Sequence, residues 1–251
     1  MTTQVQTAGG YRYIPAVSQY SAGVAAETGF RIERARFSRV VALREGFERI
    51  EQHLKAMGRP HTALCACELR SPEPFTESSF KTFNETYTGT LKRWGIFSDG
   101  EANPIARSNV CPELDAPSEP GIFAFSYTVA DDNASGSFIV AGSAEAPEGT
   151  GDYAKHAIAH GDTSAQGLRS KARWVLDEMQ NRMNALGFDW PAATATHVYT
   201  VHDFHPLVGD ELVRRQAMRG GLTWHFARPP VVGLDYEMDC RAVPLERVIE
   251  V

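Results

Sequence analysis

Two stretches of the chain carry the same order of hydrophobic patterns. Apolar residues recur at steps of three and four over residues 47–57 and again over residues 168–186. This spacing places them on one face of an amphipathic helix. Gly58 and Gly187 follow directly, and a glycine in that position commonly ends a helix. The pattern therefore predicts two corresponding helices, one in each half of the chain.

A strand-like run follows each of these helices. The runs are TALCACEL (residues 62–69) and TATHVYTV (residues 194–201). In the first half a second helical stripe then extends over residues 80–94, with Thr76 as its N-cap. In the second half residues 207–219 carry a weaker version of the same stripe. The order helix, strand, helix is thus predicted twice.

Each half closes with an arginine and a last strand. Arg107 stands in IARSNV before GIFAFSYTV, and Arg228 stands in FARPPV before LDYEMDCRAV. The two helix-ending glycines are 129 residues apart (187 − 58), and the two arginines are 121 apart (228 − 107). Such similar offsets indicate a tandem duplication.

The repeat predicts an α+β fold made of two units, residues 11–130 and 136–251. Residues 129–136 form the expected linker, and residues 144–156 a long loop. Each unit is expected to be a mixed sheet with two helices on one face. The uncovered face then has to be buried within the chain, between chains, or in both ways.

Composition narrows the class of partner. The 251 residues are 43% hydrophobic and 22% charged, with a net charge of −6. This acidic balance argues against binding to nucleic acid or a membrane surface. No run reaches about 18 apolar residues, and the N-terminus lacks a signal-peptide pattern. The four cysteines form no C-x-x-C pair, so free buried thiols in a cytoplasmic protein are expected.

An acidic strand face near the C-terminus is a candidate for chemistry. Asp235, Glu237 and Asp239 alternate with apolar residues and would share one face of a strand. Acidic side chains rarely fill a core. These acids either form salt bridges with residues of neighbouring strands, face solvent, or transfer protons at a site.

Several motifs resemble the RidA/YjgF family of imine and enamine deaminases. They are EGFERIEQHLKAMG, FKTFNETY and NPIARSNV in the first half, and RWVLDEMQNRMNALG, FARPPV and DYEMDCRAV in the second. AVSQYSAGV is similar to the N-terminal segment of that family. The resemblance covers roughly residues 15–243 and implies two chorismate mutase-like units. It also implies cofactor-independent hydrolysis of a C=N bond.

The resemblance assigns candidate residues one by one. Arg228 takes the position of the arginine that binds the substrate carboxylate, and Glu237 that of the glutamate that activates water. These two are the predicted catalytic residues. The predicted substrate-binding residues are Arg107, Asn84, Tyr20 and Asp239. A mixed site, with groups from both halves, is physically reasonable because family members place sites between protomers.

Two positions depart from the family pattern. Phe123 stands where the first half should have its glutamate, which predicts that this copy lacks the acid–base step. Ala141 replaces a serine that helps to bind substrate. These departures imply a substrate different from the usual small 2-imino acids.

Histidines suggest a rival, metal-based chemistry. His156 and His160 are four residues apart, and His202, Asp203 and His205 form a second group. Neither lies in a firm helical pattern or an H-E-x-x-H motif, so no metal site is predicted. Nucleotide-binding glycine motifs are also missing, and we expect no cofactor.

The leading function is therefore hydrolytic deamination of an imine or enamine carboxylic acid, with unsaturated, aminomuconate-like acids among the candidates. One alternative is a chorismatase-like lyase or hydrolase of a cyclic or aromatic carboxylate. Another is a non-catalytic small-molecule-binding or scaffold protein. The exposed sheet faces predict a homo-oligomer, with a homotrimer favoured over a dimer.

Overall fold

The computed structural model describes residues 1–149 and 152–251. Its strands are β1 (Gln4–Gln6), β2 (Tyr11–Ile14), β3 (Gly23–Ala26), β4 (Phe30–Ala42), β5 (Leu64–Arg70), β6 (Ala106–Pro112), β7 (Gly121–Ala130), β8 (Phe138–Ala144), β9 (Ala195–Tyr199), β10 (Leu222–His225), β11 (Ala227–Arg228), β12 (Glu237–Ala242) and β13 (Leu245–Ile249). Its α-helices are α1 (Leu43–Ala56), α2 (Glu77–Arg93), α3 (Tyr153–His156), α4 (Ala165–Leu186) and α5 (His205–Leu207).

The strands form two sheets that contain the same four-stranded block. The six-stranded sheet has the order β11-β6-β5-β7-β4-β13, and the seven-stranded sheet has β1-β2-β3-β8-β12-β9-β10. In the block β6-β5-β7-β4 the first pair is parallel and the other two are antiparallel. The block β10-β9-β12-β8 repeats this arrangement. The predicted α+β fold with a tandem duplication is confirmed.

The N-terminal and C-terminal strands each join the sheet of the opposite half. β3 pairs with β8, so the N-terminal strands extend the sheet of the second half. β13 pairs with β4, so the C-terminal strand extends the sheet of the first half. Each sheet therefore contains strands from both predicted units, and the connection between β7 and β8 is the predicted linker. Of the predicted long loop, Thr150 and Gly151 lie outside the described residues.

Local sequence explains the helix ends. α1 is followed by Gly58 at φ +65°, and α4 ends at Gly187 at φ +85°, a backbone conformation that favours glycine. The predicted N-cap of α2 is confirmed, since the Thr76 side chain accepts a hydrogen bond from the Ser79 amide at 3.2 Å. These helices match the hydrophobic stripes in the sequence.

The second helix of the second half differs from its prediction. Instead of one helix over residues 207–219, α5 is followed by a π-helical turn over Val208–Val213. Gly209 lies in this turn, and glycine weakens a helix interior. The weak apolar stripe is nevertheless anchored, because Leu207 and Leu212 are buried in the core beside α4.

The molecule has four layers. α1 and α2 pack on the six-stranded sheet, and α4 packs on the seven-stranded sheet. The inner faces of the two sheets meet in a third cluster that includes Tyr11, Val24, Ile32, Ala66, Ala106 and Ala141. The faces left open by the helices are thus buried against each other within one chain. In the described part of the chain, no helix is both long and apolar enough to cross a bilayer.

Candidate active site

A cavity of about 490 Å³, counting its mouth to solvent, opens where elements of both halves meet. Its walls are formed by Tyr20, Phe80, Arg107, Asn109, Gly142, Ala144, Ala146, Glu148, Tyr153, Pro230, Val231, Leu234 and Glu237. The cavity therefore combines an apolar wall with a few buried ionisable groups.

Arg107 is the cation of this cavity. It extends from β6 and is only 4% exposed. Its guanidinium carbon lies 4.9 Å, 5.4 Å and 5.1 Å from the ring centroids of Tyr20, Phe80 and Tyr87. Its Nη1 donates to Asn84 Oδ1 at 2.6 Å. The predicted substrate-binding residues Arg107, Tyr20 and Asn84 are thus brought together.

This guanidinium has no anionic partner among the described residues. Burial lowers the pKa of Arg107, which expresses the cost of holding the charge away from water. A buried charge without a counter-ion is unfavourable. The charge of Arg107 is therefore left without compensation by a carboxylate of the described chain.

Glu237 lies on the other wall, at the start of β12. It is 3% exposed and pairs with Ala144 on β8 and Tyr199 on β9. A Cβ atom built on Gly142 would lie 2.2 Å from Glu237 Oε1. The missing side chain at Gly142 therefore provides the space for the carboxyl group.

The environment of Glu237 favours the neutral acid. Burial raises the pKa of Glu237 well above its ordinary value, and the negative charges of Asp239 and Glu145 raise it further. Arg70 and Arg107 oppose this shift of the pKa without cancelling it. A carboxylic acid in this state can donate a proton and then act as a base.

A buried ionic cluster holds the chain just before Glu237. Lys171 Nζ lies 3.2 Å from Glu145 Oε1 and 3.0 Å from Asp235 Oδ2. The Glu145 carboxylate accepts the backbone N–H groups of Asp235 at 2.6 Å and Tyr236 at 3.0 Å. Lys171 and Glu145 thus fix the backbone that positions the acid.

The three acids of the C-terminal run do not share one environment. Asp235 precedes β12, and its carboxylate contacts Lys171 and His202 rather than the cavity. The prediction of three carboxylates along one strand face is therefore wrong for Asp235. Only Glu237 of the three lines the cavity.

Asp239 faces the space between the two sheets. It accepts hydrogen bonds from Ser108 Oγ at 2.7 Å and from Tyr199 OH at 2.8 Å, and it pairs with His197 at 3.2 Å. Burial alone would oppose ionisation, but His197 and Arg241 lower the pKa of Asp239 to about 2. Asp239 is therefore an ionised link between the sheets and not part of the cavity wall.

Arg228 lies away from the cavity. Its side chain is 40% exposed, and its Nε and Nη2 donate to the two carboxylate oxygens of Glu113 at 2.7 Å and 3.0 Å. It belongs to β11, opposite Cys111. Arg228 and Glu237, the predicted catalytic pair, therefore do not share the cavity. The guanidinium of Arg228 already binds the carboxylate of Glu113.

Strand register explains this difference. Arg107 on β6 pairs with Cys67 on β5. The offset of 129 residues between the halves makes Thr196 on β9 the counterpart of Cys67, and Thr196 pairs with Leu222 on β10. The counterpart of Arg107 is therefore Leu222, and the similarity of ARS to ARP is misleading. β10 ends at His225, and Arg228 falls in an additional short strand.

The first half has no acid at the corresponding place. Tyr199 pairs with Glu237, whereas Arg70, its counterpart 129 residues earlier, pairs with Gly121. Phe123 lies in the adjoining strand irregularity, and the Arg70 guanidinium lies 4.2 Å from its ring centroid. The acid and the cation of the cavity thus come from different halves, Glu237 from the second and Arg107 from the first.

The histidine groups remain apart from the cavity. His205 pairs with Asp203 at 2.8 Å in an exposed position, and His202 lies 3.3 Å from Asp235. His156 and His160 are exposed. Within residues 1–149 and 152–251, no three histidine, cysteine or acidic side chains are grouped closely enough to hold a metal ion.

Comparison with known proteins places the chain in a family. The family model described as 2-aminomuconate deaminase CnbZ matches residues 3–247. The chain belongs to this deaminase family. A 2-amino-5-chloromuconate deaminase from Comamonas testosteroni is 52% identical over 243 residues, which is 96% of each chain. The resemblance to imine and enamine deaminases predicted from the sequence motifs is confirmed.

One solved structure supports the fold of this deaminase family member, and a second is similar to part of the chain. A chorismatase crystal structure matches 97% of this chain and 89% of its own, with a TM-score of 0.55 and 12% identity. The YjgF gene product of E. coli matches 43% of this chain and 80% of its own, with a TM-score of 0.32 and 18% identity. The chorismatase likeness concerns the fold alone.

Several residues in and around this cavity were not predicted from the sequence. Gly142 in β8 and Tyr153 in α3 stand in or beside a stretch whose sequence has no regular hydrophobic pattern. Lys171 lies among the buried residues of α4. Asn109 did carry a signal, because it follows Arg107 by two positions on a strand and therefore shares its face.

Proposed function

We propose that the chain hydrolyses the enamine of 2-aminomuconate-type carboxylic acids and releases ammonia. The observation that carries this proposal is the buried, unpaired Arg107 in one cavity with the acid Glu237. The family model and the deaminase from Comamonas testosteroni support the substrate class. The roles of the individual residues are our assignment.

Arg107 binds the carboxylate next to the reacting carbon. A guanidinium can hold a carboxylate through two parallel hydrogen bonds. Asn84 occupies one end of the guanidinium, and the rings of Tyr20, Phe80 and Tyr87 restrict its movement. The substrate anion then replaces the counter-ion that the chain does not supply.

Glu237 transfers the protons. The neutral acid gives its proton to a carbon of the enamine, and the C–N bond becomes an iminium. Water adds to the C=N carbon while its proton returns to the Glu237 carboxylate. The carbinolamine then passes its hydroxyl proton to nitrogen, the C–N bond breaks, and ammonia and a 2-oxo acid leave. Glu237 ends as the neutral acid with which the cycle began.

The apolar wall accepts the unsaturated carbon chain. Phe80, Val231 and Leu234 lie on this wall, and Val231 and Leu234 belong to one buried cluster. Apolar surface is suited to a conjugated chain and to a chlorine substituent such as the one named for the relative. This wall favours longer, unsaturated acids over the short 2-imino acids.

Ammonia release tests the proposal directly. The wild-type protein should release ammonia from freshly generated 2-aminomuconate faster than the uncatalysed reaction, and it should prefer this acid to 2-iminobutyrate. Boiled protein and Glu237→Gln are the controls. Ammonia release from 2-aminomuconate at the uncatalysed rate would contradict the proposed function.

We further propose that three copies of the chain assemble. A separate proposal, that the enzyme works in the cytoplasm, rests on the cysteines. Trp224 on the edge strand β10 is 41% exposed and Phe226 beside it is 44% exposed, which supports association along this edge. The four cysteines are free and buried, which suits a reducing compartment. Light scattering should give about three times 27.6 kDa; a monomer at micromolar concentration would contradict the assembly.

A further inference from the structure

The wall of the cavity offers one cation but the proposed substrates carry two carboxylates. Among the described residues that line the cavity, Arg107 is the single arginine or lysine. The carboxylate of Glu148, another residue of the lining, pairs with Arg182 at 3.1 Å and offers neither a positive charge nor a hydrogen-bond donor to an anion. A second carboxylate therefore has to be held by neutral donors or left without a partner.

Asn109 is such a donor. It lines the cavity and is 3% exposed. Its Oδ1 accepts a hydrogen bond from the hydroxyl of Ser71 at 3.0 Å, and Ser71 is fully buried. Its Nδ2 has no hydrogen-bond partner in the described structure. Buried polar groups are nearly always satisfied by protein, water or ligand, so this amide in the cavity wall is free to donate to a bound molecule.

The position of Asn109 relative to Arg107 suits a dicarboxylate. Both residues lie on β6, two positions apart, so their side chains leave the same face of the strand. Same-face neighbours on a strand are separated by roughly 6.5–7 Å. The two donors therefore enter the same cavity from neighbouring positions of one strand, so that one dicarboxylate has a donor for each of its ends.

We propose that the Asn109 amide binds the second carboxylate of a dicarboxylic substrate and selects such acids over monocarboxylic ones. This assignment rests on the proposed function and adds to it the residue that determines specificity. A neutral donor also suits the chemistry, because a second arginine beside Glu237 would lower the pKa of that acid. The amide recognises the carboxylate without changing the proton donor.

Binding of unreactive acids tests the assignment without turnover. Muconate and sorbate share the same conjugated chain, but sorbate has a methyl group in place of one carboxylate. Calorimetry with the full chain should show that Asn109→Ala raises the Kd of muconate by roughly 10- to 100-fold. The Kd of sorbate should change by less than about twofold. Asn109→Asp should weaken muconate binding more strongly, because two carboxylates would then face each other.

Turnover supplies the second comparison. Asn109→Ala should raise KM for 2-aminomuconate by a much larger factor than KM for 2-iminobutyrate, which has no second carboxylate. Asn184→Ala is the matched control, because it removes an exposed amide on α4 that accepts a hydrogen bond from Gln180. Thermal unfolding of each variant establishes that it is folded, and Asn109→Ser is available as a smaller polar replacement.

The outcomes separate the two proposals. Selective loss with the dicarboxylates supports the role of Asn109. Equal loss with mono- and dicarboxylates, or no change with either, overturns that role and leaves the deaminase proposal standing. Ammonia release by the wild type at the uncatalysed rate overturns the deaminase proposal, whereas the muconate and sorbate affinities still decide the role of Asn109.

Discussion

The carboxyl group of Glu237 occupies the volume that a side chain on Gly142 would need. A Cβ at Gly142 would approach Glu237 Oε1 to 2.2 Å and the Ser108 Cα to 3.2 Å. β8 and β12 are hydrogen-bonded neighbours, so neither backbone can withdraw without breaking the ladder. The position of the acid therefore depends on a residue that has no chemistry of its own.

Replacement of Gly142 by alanine should displace the acid and reduce catalysis. A misplacement of about 1 Å can lower a rate by roughly 100-fold, and overpacking costs roughly 1–3 kcal/mol of stability. Steady-state kinetics with 2-aminomuconate and urea unfolding measure both effects. Gly209→Ala is the matched control, since no atom lies within 4 Å of its added Cβ. A Gly142→Ala enzyme with wild-type kcat would contradict the proposed position of the acid.

The two arginines singled out in the sequence should behave differently. Arg107→Ala should lower kcat/KM by roughly 100-fold or more, because the substrate loses its bidentate, charged partner. Arg228→Ala should leave kcat/KM near the wild-type value and change stability by less than about 1 kcal/mol, because its pair with Glu113 is exposed. Loss of activity in Arg228→Ala together with full activity in Arg107→Ala would reverse this assignment.

The raised pKa of Glu237 predicts how activity and stability respond to pH. In the proposed mechanism the neutral acid is the active form, so kcat/KM should fall as the pH rises through the pKa of Glu237 in the folded protein. Because the folded pKa lies above the unfolded one, the associated stability is complete below the unfolded pKa and is lost as the pH rises through the folded pKa.

Glu237→Gln isolates this contribution. The amide resembles the neutral acid, so the variant should be inactive and should gain stability relative to the wild type as the pH increases. Thermal unfolding of both proteins across pH measures the difference. A constant difference at all pH values would show that Glu237 does not titrate in this way.

The buried cluster around Lys171 should contribute strongly to stability. Lys171→Met leaves the carboxylates of Glu145 and Asp235 without their cation, and removal of one partner of a buried ion pair costs roughly 3–5 kcal/mol. Urea unfolding measures the loss of free energy.

A second substitution gives the control for Lys171. In Lys171→Met/Asp235→Asn one unpaired charge is gone, while the Glu145 carboxylate still accepts the backbone N–H groups of residues 235 and 236. The double variant should therefore recover part of the lost stability. A double variant less stable than Lys171→Met would argue that the ionic interaction is not the source of the effect.

The repeat, the helices and the acid were accessible from the sequence because they depend on local patterns. The helix-ending glycines Gly58 and Gly187 have positive φ, and Thr76 caps α2, as their positions in the sequence predicted. Alternation along β12 predicted that Glu237 lies on the strand face that points away from the apolar residues. Periodicity and capping act over a few residues and leave a direct mark in the sequence.

Which of Arg107 and Arg228 lines the cavity depends on tertiary structure. Both stand in similar tripeptides, but strand register pairs Arg107 with Cys67 and gives Leu222 as its counterpart. Register depends on which strands pair and where each one begins, and short motifs do not encode it. Likewise, burial of Glu237 beside Gly142 and the separation of Asp239 into another network arise only when two sheets pack face to face. The sequence by itself determined which groups were available, whereas tertiary packing determined which of them share a cavity and what charge they carry, because burial and proximity set the pKa of each group.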